Sequence, residues 1–433
     1  MQMIETIKNS WKVADLRKKI LFTLFIILIF RIGSVIPAPF VNFAALEVGG
    51  SSNDFFNYYS VLSGGGLEYG SIFAMGVTPY INSSIIMQLL CVAIPPLERL
   101  SQEGEEGRKK IAQYTRYCTV ILGLLQATAY FFWLKNSTNN NGESYLTSFV
   151  QPGFSTIFAA VVIIAVLTAG SALVMWLGEQ IDKSGIGNGI SMLLFAGIIS
   201  RFPSAVVAMY SWVTNGEYLK FFGTIVLFLV MVAFIVWMTG AERRIPVQYA
   251  KKVVGRKMYG GQNSHIPIKV NMSGVMPIIF ASSILMLPTM ILSFMKNSDS
   301  TWYKVLQLFS SQGVFYAIIY FVLIIAFAYF YVTIQYNPVE MANNLRKSSG
   351  AIPGIRPGKP TIEFIKKILS RVTLLGAILL SVIALLPIFM SMADQSSLAI
   401  GGTSILIVVG VALDTVQNLE SQMMMRHYKG FLD

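Results

Sequence analysis

Residues 20–38, 71–94, 117–134, 154–177, 185–203, 219–240, 271–294, 313–334, 371–391 and 400–418 form ten long apolar runs separated by hydrophilic gaps. Each has the roughly 17–25 residues a helix needs to cross a bilayer. Hydrocarbon offers backbone polar groups no partner, so a chain of this pattern spans as helices that satisfy their own amides. The predicted class is all-α and polytopic, with ten transmembrane helices.

Charge then orients the bundle. Of the 33 Lys and Arg residues, 27 lie in alternate gaps: 1–19, 95–116, 178–189, 241–270, 335–371 and the tail after 418. The other gaps hold only Lys135, Arg201, Lys220, Lys296 and Lys304, and Arg31 sits inside the first run. Basic loops stay in the cytoplasm, and ten crossings return both termini to that side. The net charge of +12 is therefore first a topology signal and only second a sign of anionic partners. Composition agrees: 12% charged residues is far below the soluble norm of ~25%. No small-x-small cleavage site closes run 20–38, so it reads as a retained first helix rather than a signal peptide.

Several function classes lose ground at once. Ion-coupled transport ordinarily places a titrating group at bilayer depth, whereas Glu179, Glu242 and Asp414 lie near cytoplasmic ends of their runs. Arg31 has no obvious acidic partner in sequence, and its long side chain can snorkel. Gly104-Glu105-Glu106-Gly107-Arg108-Lys109-Lys110 fails the phosphate-loop spacing. It also carries acid beside Glu103 where phosphate would sit. No H-E-x-x-H or G-x-S-x-G pattern occurs. Cys91, Cys118, His265 and His427 have no metal-ligand spacing. No enzyme, cofactor or metal is expected, and any uphill work needs force from another protein. A small-molecule secondary transporter remains the alternative from another class.

Three stretches are irregular for lipid-facing helix. Run 71–94 carries Thr78, Asn82, Ser83, Ser84 and Gln88, which suit either helix–helix packing or a face beside water or a moving interface. Gly185, Gly187 and Gly189 each weaken a helix start by ~1 kcal/mol relative to Ala. Ile186 and Ile190 stand four apart, as do Ile81 and Ile85, so each pair shares a helix face. Segment 55–71 is amphiphilic, too short to span and jointed by Gly64, Gly65 and Gly66, which fits an interfacial or re-entrant piece.

Loops 241–270 and 335–371 carry seven cations each. Topology explains their sign but not their length. The second contains Pro353-Gly354-Ile355-Arg356-Pro357-Gly358, a stiff turn by composition. Both loops suit docking to anionic lipid, to ribosomal RNA, or to an acidic protein surface.

These residues resemble the SecY family, the large subunit of the bacterial protein-conducting channel. The resemblance covers nearly the whole chain. It rests on Gly76-Val77-Thr78-Pro79-Tyr80-Ile81-Asn82-Ser83-Ser84-Ile85-Ile86, Gly185-Ile186-Gly187-Asn188-Gly189-Ile190-Ser191 and Glu242-Arg243-Arg244-Ile245. Lys269-Val270-Asn271-Met272-Ser273-Gly274-Val275, the turn at 353–358 and Gly401-Gly402-Thr403-Ser404-Ile405-Leu406-Ile407 complete it. It implies two pseudo-symmetric, inverted halves of five helices, 1–203 and 204–433, around a central pore.

The resemblance also implies the roles of particular residues. An apolar ring would comprise Ile81, Ile85, Ile186, Ile190, Ile279 and Ile407, with Ile278 as the neighbour a one-residue slip would choose. Such a constriction excludes ions by dewetting. Segment 55–71, with Ser63, Gly64, Gly65, Gly66 and Leu67, matches the family's plug, and its glycines would let it swing aside. Thr78, Asn82 and Gln88 fall at the lateral gate, whose hydrogen bonds a hydrophobic signal sequence would replace. Arg243, Arg244, Lys251, Lys252, Arg356 and Lys359 would meet the SecA motor ATPase or the ribosome, with Arg243, Arg244 and Arg356 at loop tips. Small subunits SecE and SecG, an unfolded polypeptide with its signal sequence, and membrane lipid complete the implied partners. The implied place is the bacterial inner membrane.

Overall fold

The computed structural model of the chain describes residues 11–42, 46, 63–136, 144–147, 154–249, 252–254, 257–259, 263–294, 306, 313–394 and 402–429. These form helices α1 (Ala14–Gly33), α2 (Thr78–Ala93), α3 (Pro95–Gln102), α4 (Glu105–Asn136), α5 (Phe154–Ser184), α6 (Gly189–Ser200), α7 (Phe202–Thr214) and α8 (Tyr218–Gly240). Strands β1 (Glu242–Tyr249), β2 (Lys252–Val254), β3 (Lys257–Tyr259) and β4 (Asn263–Lys269) follow. The rest comprises α9 (Met276–Phe294), α10 (Val314–Gln335), α11 (Pro338–Lys347), β5 (Gly350–Ala351), α12 (Lys359–Asp394) and α13 (Gly402–Lys429).

Each of the ten apolar runs contains a helix, as their length requires. Seven helical stretches are long and apolar enough to cross a membrane, or eight if the bent pair α2–α3 counts as one span. The remainder have physical reasons for falling short. α1 carries Arg17, Lys18, Lys19 and Arg31, α2 has only 16 residues, and the shorter apolar stretch of α9 is Met276–Leu285.

Sequence and structure differ at run 71–94. Ser71 bridges Pro37, residues 72–77 are successive turns, and helix begins only at Thr78, where Pro79 occupies the first turn. A proline there forfeits an amide that had no helical partner anyway. The chain then turns by 102° between α2 and α3, beside Pro95 and Pro96. Run 185–203 is likewise broken, at Arg201 between α6 and α7.

Two compact units emerge, one of residues 1–221, 286–307 and 411–433, the other of 222–285 and 308–410. In the first, α4 packs along α2 and α5, while α1 lies on α5 and α6. Arg116 grips Glu179 with two bonds of 2.7 and 2.8 Å, tying α4 to α5. Ser83 donates to the Thr115 carbonyl at 2.7 Å, tying α2 to α4. An apolar core of Leu67, Met75, Ala127, Phe131, Leu134, Ile163 and Leu167 closes one end of this unit.

In the second unit, α10 packs on α12. The two long basic loops are not loose. The first is an antiparallel hairpin of β1 on β4, continued by β2 on β3. The second supplies α11, β5 and the start of α12, and β5 pairs with β1 through Gln248↔Ala351 and Tyr249↔Gly350. The resulting sheet order is β4-β1-β5. Strand alternation turns Ile245 and Val247 inward, where they meet Ile268, Ala342, Leu345, Ile352, Ile365 and Leu369 in one apolar core.

Gly170 of α5 shows how tightly the turn segment is seated in the first unit. A Cβ there would collide with the carbonyl of Ile72. Gly170→Leu should therefore destabilise the protein by about 1–3 kcal/mol. Gly223→Leu, where nothing lies within 4 Å, should not. Thermal unfolding of the detergent-solubilised proteins separates the two.

Candidate functional site

Among the described residues of the first unit, the turn 63–70 is irregular backbone anchored from several elements. Its internal frame is local: Ser71 N donates to Gly66 O at 2.8 Å and Glu68 N to Gly65 O at 3.1 Å, while Leu67 N donates to Ser63 Oγ at 3.2 Å. Gly64 and Gly65 adopt φ of +68° and +88°, the left-handed region that side chains resist. Gly64 also lies so close to Gly197 of α6 that a Cβ would stand 2.9 Å from its Cα. These glycines thus hold a compact, docked turn. Residues 55–62, the remainder of the segment matched to the plug, lie outside the described residues.

Side chains from three helices secure that turn. Arg31 of α1 donates through Nη1 to the Gly64 carbonyl at 2.6 Å and to Ser200 Oγ at 3.1 Å. Arg201 Nη2 pairs with Glu68 Oε1 at 2.6 Å, and Tyr130 of α4 donates to the Leu67 carbonyl at 3.2 Å. Phe73 stacks on Phe30 of α1 at 6.1 Å. A charged donor on a carbonyl contributes about 1.5–3 kcal/mol, and a partly exposed ion pair about 0–1 kcal/mol. Together they hold the turn without welding it.

Ile81 and Ile85 share one face of α2 and are buried, as are Ile186, Ile278, Ile279 and Ile407. Ile190 is half-buried, and its Cδ1 covers Gly178 of α5. One expectation needs correction. Ile186 does not share a helix face with Ile190, because α6 starts only at Gly189. Gly187 at φ +74° breaks the path, and Asn188 caps α6 by accepting from Ser191 N at 3.0 Å. Ile186 is held instead by its own amide, which donates to Thr23 Oγ1 of α1 at 3.2 Å.

On α2, Thr78 Oγ1 and Asn82 Oδ1 are buried with no hydrogen-bond partner among the described residues. Gln88 Nε2 reaches only Ser84 of its own helix, at 3.4 Å. The hydrogen bonds expected to hold a gate through Thr78 and Asn82 are not seen among the described residues.

The docking candidates also shift. Arg243 and Arg244 pair across the hairpin with Ile268 and Pro267, one and two steps from its first register pair, Glu242↔Lys269. They stand at the base of the hairpin and not at its tip. Both are exposed, and Arg244 Nε is engaged by Glu242 at 2.6 Å. Lys252 lies in the outer two-stranded sheet with Lys257, while Lys251 is outside the described residues. Arg356 is exposed on the turn before α12, its carbonyl accepting from Thr361 Oγ1 at 2.9 Å, and Lys359 opens α12.

The family model described as SecY matches residues 71–416. The protein translocase subunit SecY of Streptomyces coelicolor is 44% identical over 440 residues, covering 99% of this chain and 100% of that one. The chain belongs to the SecY family.

Solved structures agree on the fold. A structure titled as a protein conducting channel superposes with TM-score 0.65 at 17% identity, over 94% of this chain and 92% of that one. A second, described by a plug domain that stabilises the closed SecY channel and maintains a membrane seal, gives 0.63 at 17% identity over the same shares. Sec61 in a canine ribosome–channel complex gives 0.62 at 16%, again over 94% and 92%.

Sequence reasoning missed Glu68, Tyr130, Ser200 and Arg201 as anchors of the turn. Arg31 was noticed but left without a partner, because its partners are a backbone carbonyl and a hydroxyl. A lone charge in an apolar run was the signal available. Sequence also missed the joining of the two long basic loops. Gln248→Cys with Ala351→Cys places thiols on directly paired strand positions, whose separation suits a disulfide. Mild oxidation should cross-link them, seen as one band after proteolytic cleavage between the two positions.

Proposed function

We propose that the chain is a passive, gated conduit that carries unfolded secretory polypeptides across a bacterial plasma membrane and releases apolar segments sideways into lipid. The observation that carries this reading is 44% identity to a protein translocase subunit along nearly the full length of both chains. The fold shared with protein-conducting channels supports it. A secondary transporter finds no support in either.

In the resting state, Ile81, Ile85, Ile186, Ile190, Ile279 and Ile407 would form the ring that keeps the membrane tight. Branched aliphatic side chains repel water from a narrow passage and carry no charge for an ion to exchange with. They also part and close around an extended chain without specific recognition, which a conduit for many clients requires. The turn holding Ser63, Gly64, Gly65, Gly66 and Leu67 would seat the plug. Thr78, Asn82 and Gln88 would line the lateral gate, where buried oxygens without partners lower the cost of parting helices for a hydrophobic segment.

Driving force would come from outside the chain. Exposed Arg243, Arg244, Arg356 and Lys359 would give the joined cytoplasmic loops a basic surface for the SecA motor or the ribosome, and Lys251 and Lys252 would add to it by their place in the sequence. SecE and SecG would pack against the helices within the membrane, and both termini would face the cytoplasm.

Two substitutions test the reading. Ile81→Asn or Ile407→Ser should make resting proteoliposomes leak ions, measured as flux without a motor or client; tight vesicles would remove the ring. Arg356→Glu should reduce export at least tenfold while leaving the resting seal intact, read by protease protection of a secreted client. Normal export would remove that residue from docking.

A further inference from the structure

Thr373 of α12 departs from the habit of other helical hydroxyls in this chain. Thr115, Thr119, Thr168 and Thr333 each donate to the carbonyl four residues back, and Ser381 of α12 itself does the same. That local bond is the nearest way to satisfy a hydroxyl among apolar helices. Thr373 is 3% exposed and forgoes it. Its Oγ1 is buried with no partner among the described residues, and Asn271 Oδ1 is buried and unpartnered in the same way.

Their neighbours bring the two together. Leu369, Thr373 and Gly376 are spaced four and three residues apart and so share one face of α12, while Leu374 and Leu375 are exposed on another. Leu369 lies in one apolar core with Ile268. A Cβ at Gly376 would strike the Val270 carbonyl and stand 3.8 Å from the backbone nitrogen of Asn271. Thr373 is therefore bracketed at the level where β4 ends and the connection to α9 begins. Here Val270 N also closes the hairpin on the Ala241 carbonyl at 2.8 Å, so α8 enters the sheet and α9 leaves it at one point.

We infer that the Thr373 hydroxyl and Asn271 Oδ1 hold a buried water that pins the base of the basic hairpin to α12. The backbone contact at Gly376 sets the spacing of helix and hairpin, and at that spacing the two oxygens make no direct bond. A water needs two to four polar partners. It would accept from the Thr373 hydroxyl and donate to Asn271 Oδ1 and to the Val270 carbonyl, which faces the same helix. Asn271 and Thr373 are then positioning residues. Pinned at its base, the sheet moves with α12, and a load on its exposed cations passes to the root of α9, which bears Ile279, instead of bending the connection 270–275. This role in export rests on the docking reading given above, whereas the water site does not.

The test uses the full chain reconstituted with its membrane partners. In a cryo-electron density map that resolves waters, the wild type should show a peak within hydrogen-bonding distance of both oxygens. Thr373→Val, which keeps the shape and loses the hydroxyl, should lose that peak. A dry gap or a direct bond in the wild type overturns the site. Thr373→Val and Asn271→Leu should each lower the unfolding midpoint by about 2–4 °C, and the double variant should lose little more than the worse of the two. Additive losses overturn the shared site. Driven export of a client should fall in Thr373→Val at unchanged resting ion flux. Thr373→Ser should restore it, which a packing defect would not allow because serine packs worse. Arg356→Glu is the reference. Should it slow export while Thr373→Val does not, the pinning role is overturned and docking stands. Normal export by Arg356→Glu removes docking and the pinning role with it, and the density alone then decides the water.

Discussion

Between apolar helices, an amide or carbonyl that finds no partner within the protein finds none at all, and the irregular stretches at 63–77 and 185–189 are shaped by that fact. Turn 63–77 departs from helix, yet its amides are placed: Ser71 N on Gly66 O, Ile72 N on Ile36 O, Ala74 N on Ser71 O. The break before α6 is treated similarly, with the Ile186 amide on Thr23 and the Gly189 amide on Asp182 Oδ1 at 2.7 Å. Non-helical backbone survives among spans only where protein surrounds it and supplies such bonds. The glycines that looked like joints are therefore equally the places where neighbouring backbone comes close enough to bond.

Charge works differently in the two units. Arg31 lies among apolar helices, where a single charged donor is strong and its bond to Gly64 is short. Arg243, Arg244 and Arg356 are exposed to solvent, where ions screen each of them within about 8–10 Å. The first kind of cation fixes geometry inside the chain, and the second stands in water on the sheet and turn that carry it. Joining the two loops through β1 and β5 gathers the second kind on one rigid support.

Much of the architecture could be read from the sequence because bilayer thickness is a hard ruler: ten runs of spanning length each hold a helix. Residue motifs carried the family for the same reason that they are short and ordered. What escaped was everything set by long-range partners. Apolar content alone made run 71–94 one helix, but Pro79 and the bonds of Ser71 and Ile72 begin it later. The Ile186–Ile190 spacing suggested a shared face, and a capping asparagine between them removes it. Hydrophilic loops gave no strand signal strong enough to show that Val247 and Ile268 face a common core. Position along the chain put Arg243 and Arg244 in a loop, whereas register puts them at its base.

The strand pairing of Gln248 and Tyr249 with Ala351 and Gly350 has an evolutionary consequence. The apolar seam beneath it is assembled from both basic segments, so neither can drift alone without exposing the other's hydrophobic side. Transplanting one of them from a relative would leave a mismatched seam. Inherited changes in either segment should consequently arrive as linked exchanges across some hundred residues of sequence.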